Sequence, residues 1–174
     1  MLRAAALAVA VVCLAGSAAA SVEVKVKTTS YLISGKNGKA LLRAMDRKGP
    51  RQGFTTRFMA QTAYKTEWRF DWQRGSGACS IAHAWAVLTI TYTYPEVSHA
   101  MSPDLRHRWN RFMAGVRKHE ETHGRIAREM VAAAERNLNG LSYQRDLGCQ
   151  KTRAESKRRI ASIYAAYEAR QNQV

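Results

Sequence analysis

The segment His119-Glu120-Glu121-Thr122-His123 contains the residue types and the spacing that could do chemistry. It has the pattern H-E-x-x-H. Residues four apart share one face of an α-helix, so His119 and His123 can direct two imidazoles at one zinc ion while Glu120 lies beside them. Zinc acidifies a water molecule, and a neighbouring glutamate can carry its proton. The pattern predicts a metallopeptidase site with His119 and His123 as zinc ligands and Glu120 as the general base and acid.

A chance match is the alternative, because the pattern is short. In that case both histidines are core or interface side chains and Glu120 is a solvated charge. The surrounding segment favours the metal site: its apolar residues recur at alternating spacings of four and three, which predicts one long amphipathic helix with both histidines on its core-facing stripe. Burying two imidazoles without a partner is costly. The stripe comprises Leu105, Trp109, Phe112, Val116, Ile126, Met130 and Ala133.

This helix is expected to begin at Ser102-Pro103-Asp104 and to end at Asn139-Gly140, where residues typical of helix ends are found. A catalytic zinc needs a third protein ligand, and the motif does not supply one. A second helix is predicted from about Lys151 to Gln171. If the two helices pack antiparallel, Glu168 is the acid nearest the level of the motif. Glu168 is therefore the predicted third ligand.

Several side chains could donate a hydrogen bond to a developing oxyanion. Two lie on the inner face of the second helix and two on the predicted sheet side, although a tyrosine on such a face is more often simply packing. These candidate oxyanion donors are Tyr164, Tyr167, His83 and His99.

Alternating residues predict strands ahead of the helices. Val22, Val24 and Val26 begin a first strand that runs toward Ile33. A short helix is expected over 39–48, where Leu41, Leu42 and Met45 have helical spacing, and Gly49-Pro50 stops it.

A second alternating run extends from Phe54 to Trp72, turns at Gly75-Ser76-Gly77 and returns from Cys79 to Tyr94, with Pro95 as its end. The two halves predict an antiparallel hairpin with one face on an apolar layer. In the returning half, the alternate positions are Ile81, His83, Trp85 and Val87. The fold class predicted is α+β: an antiparallel β-sheet with a short helix, then the long helix that bears H-E-x-x-H and a C-terminal helix, packed as an antiparallel pair.

Residues 1–20 have the features of a secretory signal peptide: Arg3, an apolar run over 4–15, and small residues that end at Ala20. A lipid anchor on Cys13 is the alternative, but the residues before it lack the usual approach to a lipidated cysteine. Residues 21–174 are then one exported domain, periplasmic or secreted, with no further apolar run long enough to span a bilayer. In that oxidising setting Cys79 and Cys149 are expected to form a disulfide, with two free buried thiols as the alternative.

The chain is strongly basic, with 28 Lys and Arg against 13 Asp and Glu. Removal of Arg3 with the leader leaves 27 against 13, a net charge of +14. Such a surface favours anionic envelope polymers or membranes as contacts. Nucleic acid is not expected as a partner, because the protein is predicted to be exported and has no basic-aromatic recognition motif.

Taken together, these features resemble a bacterial family filed as domain of unknown function 922 and described as predicted secreted zinc-dependent proteases. The resemblance covers nearly all of the chain after the leader, and HEETH is its only chemically specific motif. Family members often end with Tyr-Asp followed by Thr-x-His-Gly; here Tyr167-Glu168 replaces Tyr-Asp, while Gln171-Asn172-Gln173-Val174 lacks the Thr and the His. The matching features are the leader, Tyr31-Leu32-Ile33-Ser34-Gly35, Gly49-Pro50, the aromatic strand over 68–72, Cys79, Trp109 and Cys149.

The sequence thus predicts an exported Zn²⁺-dependent metallopeptidase that acts on a protein or peptide substrate. Hydrolysis of cell-wall peptide or another amide is a variant of that hypothesis. A non-catalytic cell-envelope binding or assembly protein of the same fold is the alternative from a different class.

Overall fold

A four-stranded sheet supports two long helices, as the α+β prediction requires. The structure is a computed structural model, and it describes residues 22–52 and 56–174; the predicted signal peptide lies outside them. None of the described helices is long and apolar enough to cross a membrane. In chain order the elements are β1 (Val22–Ile33), α1 (Gly38–Lys48), β2 (Arg51–Gln52), β3 (Thr56–Arg57), β4 (Gln61–Gly75), β5 (Ala78–Val97), α2 (Pro103–Leu138), β6 (Ser142–Tyr143) and α3 (Gln150–Gln171).

The central strand is β5, which lies between β1 and β4. Its pairing with β4 is antiparallel, as predicted, but β1 lies parallel to it, from the pair Val22↔Ala86 to the pair Ile33↔Val97. The sheet is therefore mixed and not antiparallel throughout. The long connection through α1 and β4 permits a parallel neighbour. Alternation along a strand reveals which face is buried, but it does not reveal the direction of the adjacent strand.

A β-bulge changes which residues of β5 face the helices. Asp71 pairs with His83 and Trp72 pairs with Ile81, which leaves Ala82 without a partner. Beyond the bulge Ala84 is buried on the helix side, while His83 is exposed on the other face. An extra residue moves all following side chains to the opposite face. The predicted stripe of Ile81, His83, Trp85 and Val87 is therefore wrong after Ile81, and His83 does not face the motif.

Two further sequence predictions need correction. They concern Pro95 as the end of β5 and His99 as a candidate oxyanion donor. Pro95 does not end β5, which continues to Val97. Beyond Thr93, the partner of Gln61, β5 has no neighbour on the β4 side, so the missing N–H of proline disrupts no bond there. His99 contacts the Gly35 carbonyl oxygen at 3.2 Å and does not line the cavity that contains the motif.

The core lies between the sheet and the helices. Near the middle of β5, apolar side chains pack on the inner stripe of α2 and exclude water. At one end α1 packs on the first turn of α2, and at the other end Ile81 and Ala84 pack against Leu138 and Leu141. The buried residues of the central cluster are Ala60, Ala86, Leu88, Ile90, Tyr92, Tyr94, Met113, Ala127, Met130 and Val131.

Both predicted ends of α2 are confirmed. The Ser102 hydroxyl accepts a hydrogen bond from the Leu105 N–H, and Pro103 is the first helical residue. At the other end the Asn139 side-chain oxygen accepts a hydrogen bond from the Ala84 N–H at 2.6 Å, and Gly140 has φ of 77°. The end of α2 is thereby attached to β5, and the following residues turn toward α3.

Asp146 caps the start of α3, a role that the sequence pattern did not suggest. Its carboxylate accepts hydrogen bonds from the N–H groups of Lys151 and Thr152 and from the Thr152 hydroxyl. Burial alone would raise the pKa of Asp146, but these hydrogen bonds outweigh that effect and lower its pKa below the usual value. The first turn of α3 is thus held in place by a carboxylate that also interacts favourably with the helix dipole.

The predicted disulfide is present between Cys79 at the start of β5 and Cys149 at the start of α3. Both cysteines are fully buried. The bond joins residues 70 apart in sequence, so it links the sheet to the last helix.

We expect the double substitution Cys79→Ala/Cys149→Ala to lower the free energy of unfolding by about 2–5 kcal/mol, because the unfolded chain loses a long-range cross-link. Urea denaturation of a chain that comprises residues 21–174 measures the change. Reduction of the wild-type protein should have a similar effect and should leave the double variant unchanged. Equal stability of the oxidised protein and the double variant would contradict the structural role of the bond.

Candidate metal site

The two histidines of the motif lie on successive turns of α2 with their rings nearly perpendicular, at an interplanar angle of 85°. Their Nε2 atoms are 3.3 Å apart. Two nitrogens that bind one tetrahedral zinc ion at about 2.0–2.1 Å would be about 3.3–3.4 Å apart. The spacing of His119 and His123 therefore fits a pair of ligands to one ion without any rearrangement of α2.

Gln171, the last residue of α3, fixes the orientation of the His123 ring. Its side-chain N–H donates to the backbone carbonyl of His123 at 3.1 Å, and its Oε1 lies 2.6 Å from His123 Nδ1. Because a carbonyl only accepts, the amide orientation is determined, and Nδ1 must carry the proton that Oε1 accepts. The neutral ring then has a lone pair on Nε2, the atom that faces His119. A hydrogen bond of this kind on the second ring nitrogen is the usual support for a metal-binding histidine.

The residue of the motif that is buried is Glu120, which is 6% exposed. The histidines lie beside the buried stripe: His119 is exposed and His123 is half-buried. The prediction that both fall on the core-facing stripe is therefore wrong. The stripe that contacts the sheet passes through Met113, Glu120, Gly124, Ala127 and Val131, so the helix presents the histidines to a cavity at its side.

Thr62 on β4 holds the Glu120 carboxylate. Its hydroxyl lies 2.7 Å from Glu120 Oε2 and 3.0 Å from the Glu120 backbone oxygen, and it donates to these acceptors. A buried carboxylate without such a donor would be strongly destabilising. Glu120 is thus fixed beside the histidine pair by the sheet.

Gly124, directly after His123, allows α2 to approach β5 closely. A Cβ atom built on Gly124 would overlap the hydroxyl group of Tyr92. A larger residue would require the Tyr92 hydroxyl or α2 itself to move at the turn that contains Glu120 and His123. The sequence offered no signal for this contact, because a glycine inside a helix has several common explanations.

A cavity of about 360 Å³ is lined by the predicted base and by the three predicted metal ligands. Glu168 lines it with His119, Glu120 and His123. Within residues 22–52 and 56–174, however, no three His, Cys, Asp or Glu side chains converge closely enough to form a metal-ligand group. Glu168 as the third ligand stays a prediction. Other residues lining the cavity are Phe58, Ala60, Gln61, Thr62, Tyr64, Gln171 and Asn172.

The position of Glu168 is reflected in the pKa of Tyr64, on the opposite wall of the cavity. Burial raises that pKa above its usual value, and the Glu168 carboxylate raises it further. Glu168 was predicted to be the acid nearest the level of the motif. Because α3 begins at Gln150, the residue that meets His123 is Gln171.

Arg170 ties the end of α3 to α2. It donates to Glu129 at 2.7 Å, and Arg125 donates to the same carboxylate. Both contacts lower the pKa of Glu129. Glu129, six residues beyond His123, is therefore engaged in ion pairs with Arg125 and Arg170.

Tyr164 and Tyr167, the candidate oxyanion donors on α3, pack against the central core cluster and do not line the cavity. The Tyr164 hydroxyl accepts a hydrogen bond from Trp68 Nε1 at 3.1 Å. The Arg170 guanidinium lies over the Tyr167 ring at 4.6 Å. Both contacts support packing roles, and donation to an oxyanion stays a prediction. The tyrosine that lines the cavity is Tyr64, which the sequence analysis did not identify as a site residue.

A family model described as bacterial protein of unknown function (DUF922) matches residues 28–174. The chain belongs to this family. The match begins within β1 and includes every element that builds the cavity. No curated protein and no solved structure matches the chain. The chemistry of this DUF922 protein must therefore be argued from its own residues.

We expect nuclear magnetic resonance of the metal-free protein, at a pH where the imidazoles are neutral, to show His123 protonated on Nδ1. The Gln171 amide stabilises that tautomer, so Gln171→Ala should shift the population toward Nε2-protonated His123. Long-range ¹H–¹⁵N correlation spectra distinguish the two forms. Gln173→Ala, two residues further and outside the cavity lining, is the control and should change nothing. An Nε2-protonated His123 in the wild type would contradict the contact with Gln171.

Proposed function

We propose that this DUF922 protein is an exported zinc-dependent metallopeptidase with His119 and His123 as two of its metal ligands. The observation that carries the proposal is the 3.3 Å spacing of the two Nε2 atoms, in a cavity that Glu120 also lines. The orientation of His123 by Gln171 supports the same assignment, because it leaves Nε2 free to bind a cation.

The donor set suits zinc better than the harder divalent cations. Imidazole nitrogens are typical zinc ligands, whereas Mg²⁺ and Ca²⁺ prefer a full shell of oxygens. We propose Glu168 as the third ligand, since it is the remaining acid in the lining of the cavity. Catalytic zinc sites combine three protein ligands with one open position, and two histidines with one glutamate is a known combination.

A bound zinc ion would supply Lewis-acid polarisation of a carbonyl and a more acidic water. The side chains of the protein transfer the proton and hold the base in position. Glu120 takes the proton from the attacking water and gives it to the leaving amine, which requires a carboxylate held beside the histidines. Thr62 provides that restraint through its hydrogen bond to Oε2 and leaves Oε1 available for the proton.

The substrate class follows from the site and its setting. The cavity is open at the surface and lined by side chains of α2, α3 and the start of β4, which suits a peptide segment or another amide of the cell envelope. The basic surface would favour substrates associated with anionic envelope polymers. A non-catalytic envelope-binding protein is the competing function, and the next two experiments separate the two.

We expect the mature chain to bind about one equivalent of zinc and the His119→Ala variant to bind less than about a tenth of an equivalent, because one imidazole alone is a weak site. Elemental analysis after gel filtration measures the ratio. His107→Ala, which removes an exposed histidine earlier on the same helix, is the matched control and should retain full zinc. Zinc below a tenth of an equivalent in the wild type, or unaltered zinc in His119→Ala, would end the metallopeptidase assignment.

Glu120→Gln should retain zinc and lose about 10²–10⁴-fold in turnover of a casein-like or cell-wall peptide substrate, because the amide still accepts from Thr62 but cannot transfer the proton. Peptide release by mass spectrometry measures turnover. Glu121→Gln, an exposed neighbour on the same turn, should remain active. Turnover by Glu120→Gln at the wild-type rate would show that Glu120 is not the base.

A further inference from the structure

A second cavity, of about 330 Å³, adjoins the candidate metal site. The two cavities share four lining residues: Phe58, Ala60, His119 and Glu120. The two cavities therefore adjoin at these residues, with His119 and Glu120 where they meet, and we call the two adjoining cavities the cleft. Any ligand that reaches the metal position through this cleft passes over the shared residues.

The far end of the cleft is apolar. Apart from His119 and Glu120, the described residues that line the second cavity are apolar or glycine. Phe58 and Met59, two adjacent residues of its lining, are 38% and 42% exposed, so their apolar surface is accessible to a ligand. The opposite end of the cleft is polar, with Gln61, Glu168 and Asn172. The cleft thus changes from apolar to polar across the site.

Gly115 keeps the apolar end open. A Cβ atom at Gly115 would have no heavy atom within 4 Å, so neither close packing nor a special backbone angle requires glycine there. Glycine inside a helix is less stable than alanine. With Val116 as its neighbour on the wall of the cavity, Gly115 leaves room that a side chain would fill.

We propose that this apolar end binds an apolar side chain of the substrate, on the residue adjacent to the scissile amide. This inference rests on the proposed metallopeptidase function and adds a substrate class to it: peptides or envelope amides with a leucine-like or phenylalanine-like group next to the bond. Burial of such a group beside Phe58, Met59 and Val116 removes apolar surface from water on both partners. A carboxylate in the same position loses its hydration and meets no Lys or Arg among the described residues that line the cavity.

Hydroxamic acids, which bind zinc through two oxygens, test the subsite without turnover. Isothermal titration of the zinc-loaded mature chain compares acetohydroxamate with a hydroxamate that carries a 4-methylpentanoyl group and with one that carries a carboxylate in its place. We expect the branched apolar compound to bind at least about tenfold more tightly than acetohydroxamate, since several methylene equivalents become buried. The compound with the carboxylate should bind no more tightly than acetohydroxamate.

Gly115→Leu fills the apolar end from an exposed position on α2, so the fold is not affected. In this variant the apolar compound should bind with an affinity within about twofold of that of acetohydroxamate. The affinity for acetohydroxamate itself should not change. Ala114→Leu adds similar bulk one residue away, where it lines a different cavity with Pro95 and Arg117, and should retain the advantage.

The outcomes separate the two proposals. The subsite is wrong and the metal site stands in two cases. In the first, acetohydroxamate binds but the apolar compound binds less than about threefold more tightly. In the second, Gly115→Leu leaves the tighter binding of the apolar compound unchanged. If the chain carries no zinc, or carries zinc that acetohydroxamate does not bind, the proposed function fails and the subsite fails with it.

Discussion

The Glu120 carboxylate is buried between α2 and the start of β4, and the hydrogen bond from Thr62 makes that burial tolerable. The same contact sets the rotation of α2 about its axis. With Glu120 toward the sheet, His119 and His123 are directed to the side, where a cavity opens. Gly124 completes the arrangement, because it lets the helix lie directly on Tyr92. The side chain that a peptidase would use as its base is thus also the side chain that orients the ligands.

The second constraint is the position of the end of α3. Its beginning is held by Asp146 and by the disulfide to Cys79, and its end is held by the ion pair of Arg170 with Glu129. These attachments lie at the two ends of α3. Gln171 is therefore placed at the level of His123, where its amide contacts both the backbone and the ring. The disulfide far from the site contributes to its geometry in this way.

Local patterns predicted much of this structure. Alternation identified β1 and the β4–β5 hairpin, helical spacing identified α1, α2 and α3, and capping residues marked the ends of α2. The same patterns could not show that β1 is parallel to β5, because that depends on the path of the chain between them. They also missed the bulge at Ala82, since a single extra residue has no distinctive sequence signal.

At the site, the motif predicted which histidines meet, but not which residue is buried. A helix stripe through His119 and His123 is offset by only one residue from the stripe through Glu120 and Gly124. Packing against the sheet decides which of the two is buried. Gln171 and Thr62 were missed because each acts across a tertiary contact, from the end of α3 and the start of β4. Glu168 lines the cavity, and its role as a ligand stays a prediction because helix spacing does not determine the position of its side chain.

X-ray absorption at the zinc edge tests the central claim most directly, because it reports the atoms bound to the ion. For the mature chain loaded with one equivalent of zinc, the spectrum should show two imidazole nitrogens at about 2.0–2.1 Å, with oxygens completing the shell. In the His119→Ala variant one imidazole should be lost from any zinc that remains. A wild-type shell with no imidazole, or one that is identical in the variant, would contradict the assignment of His119 and His123 as a pair of ligands.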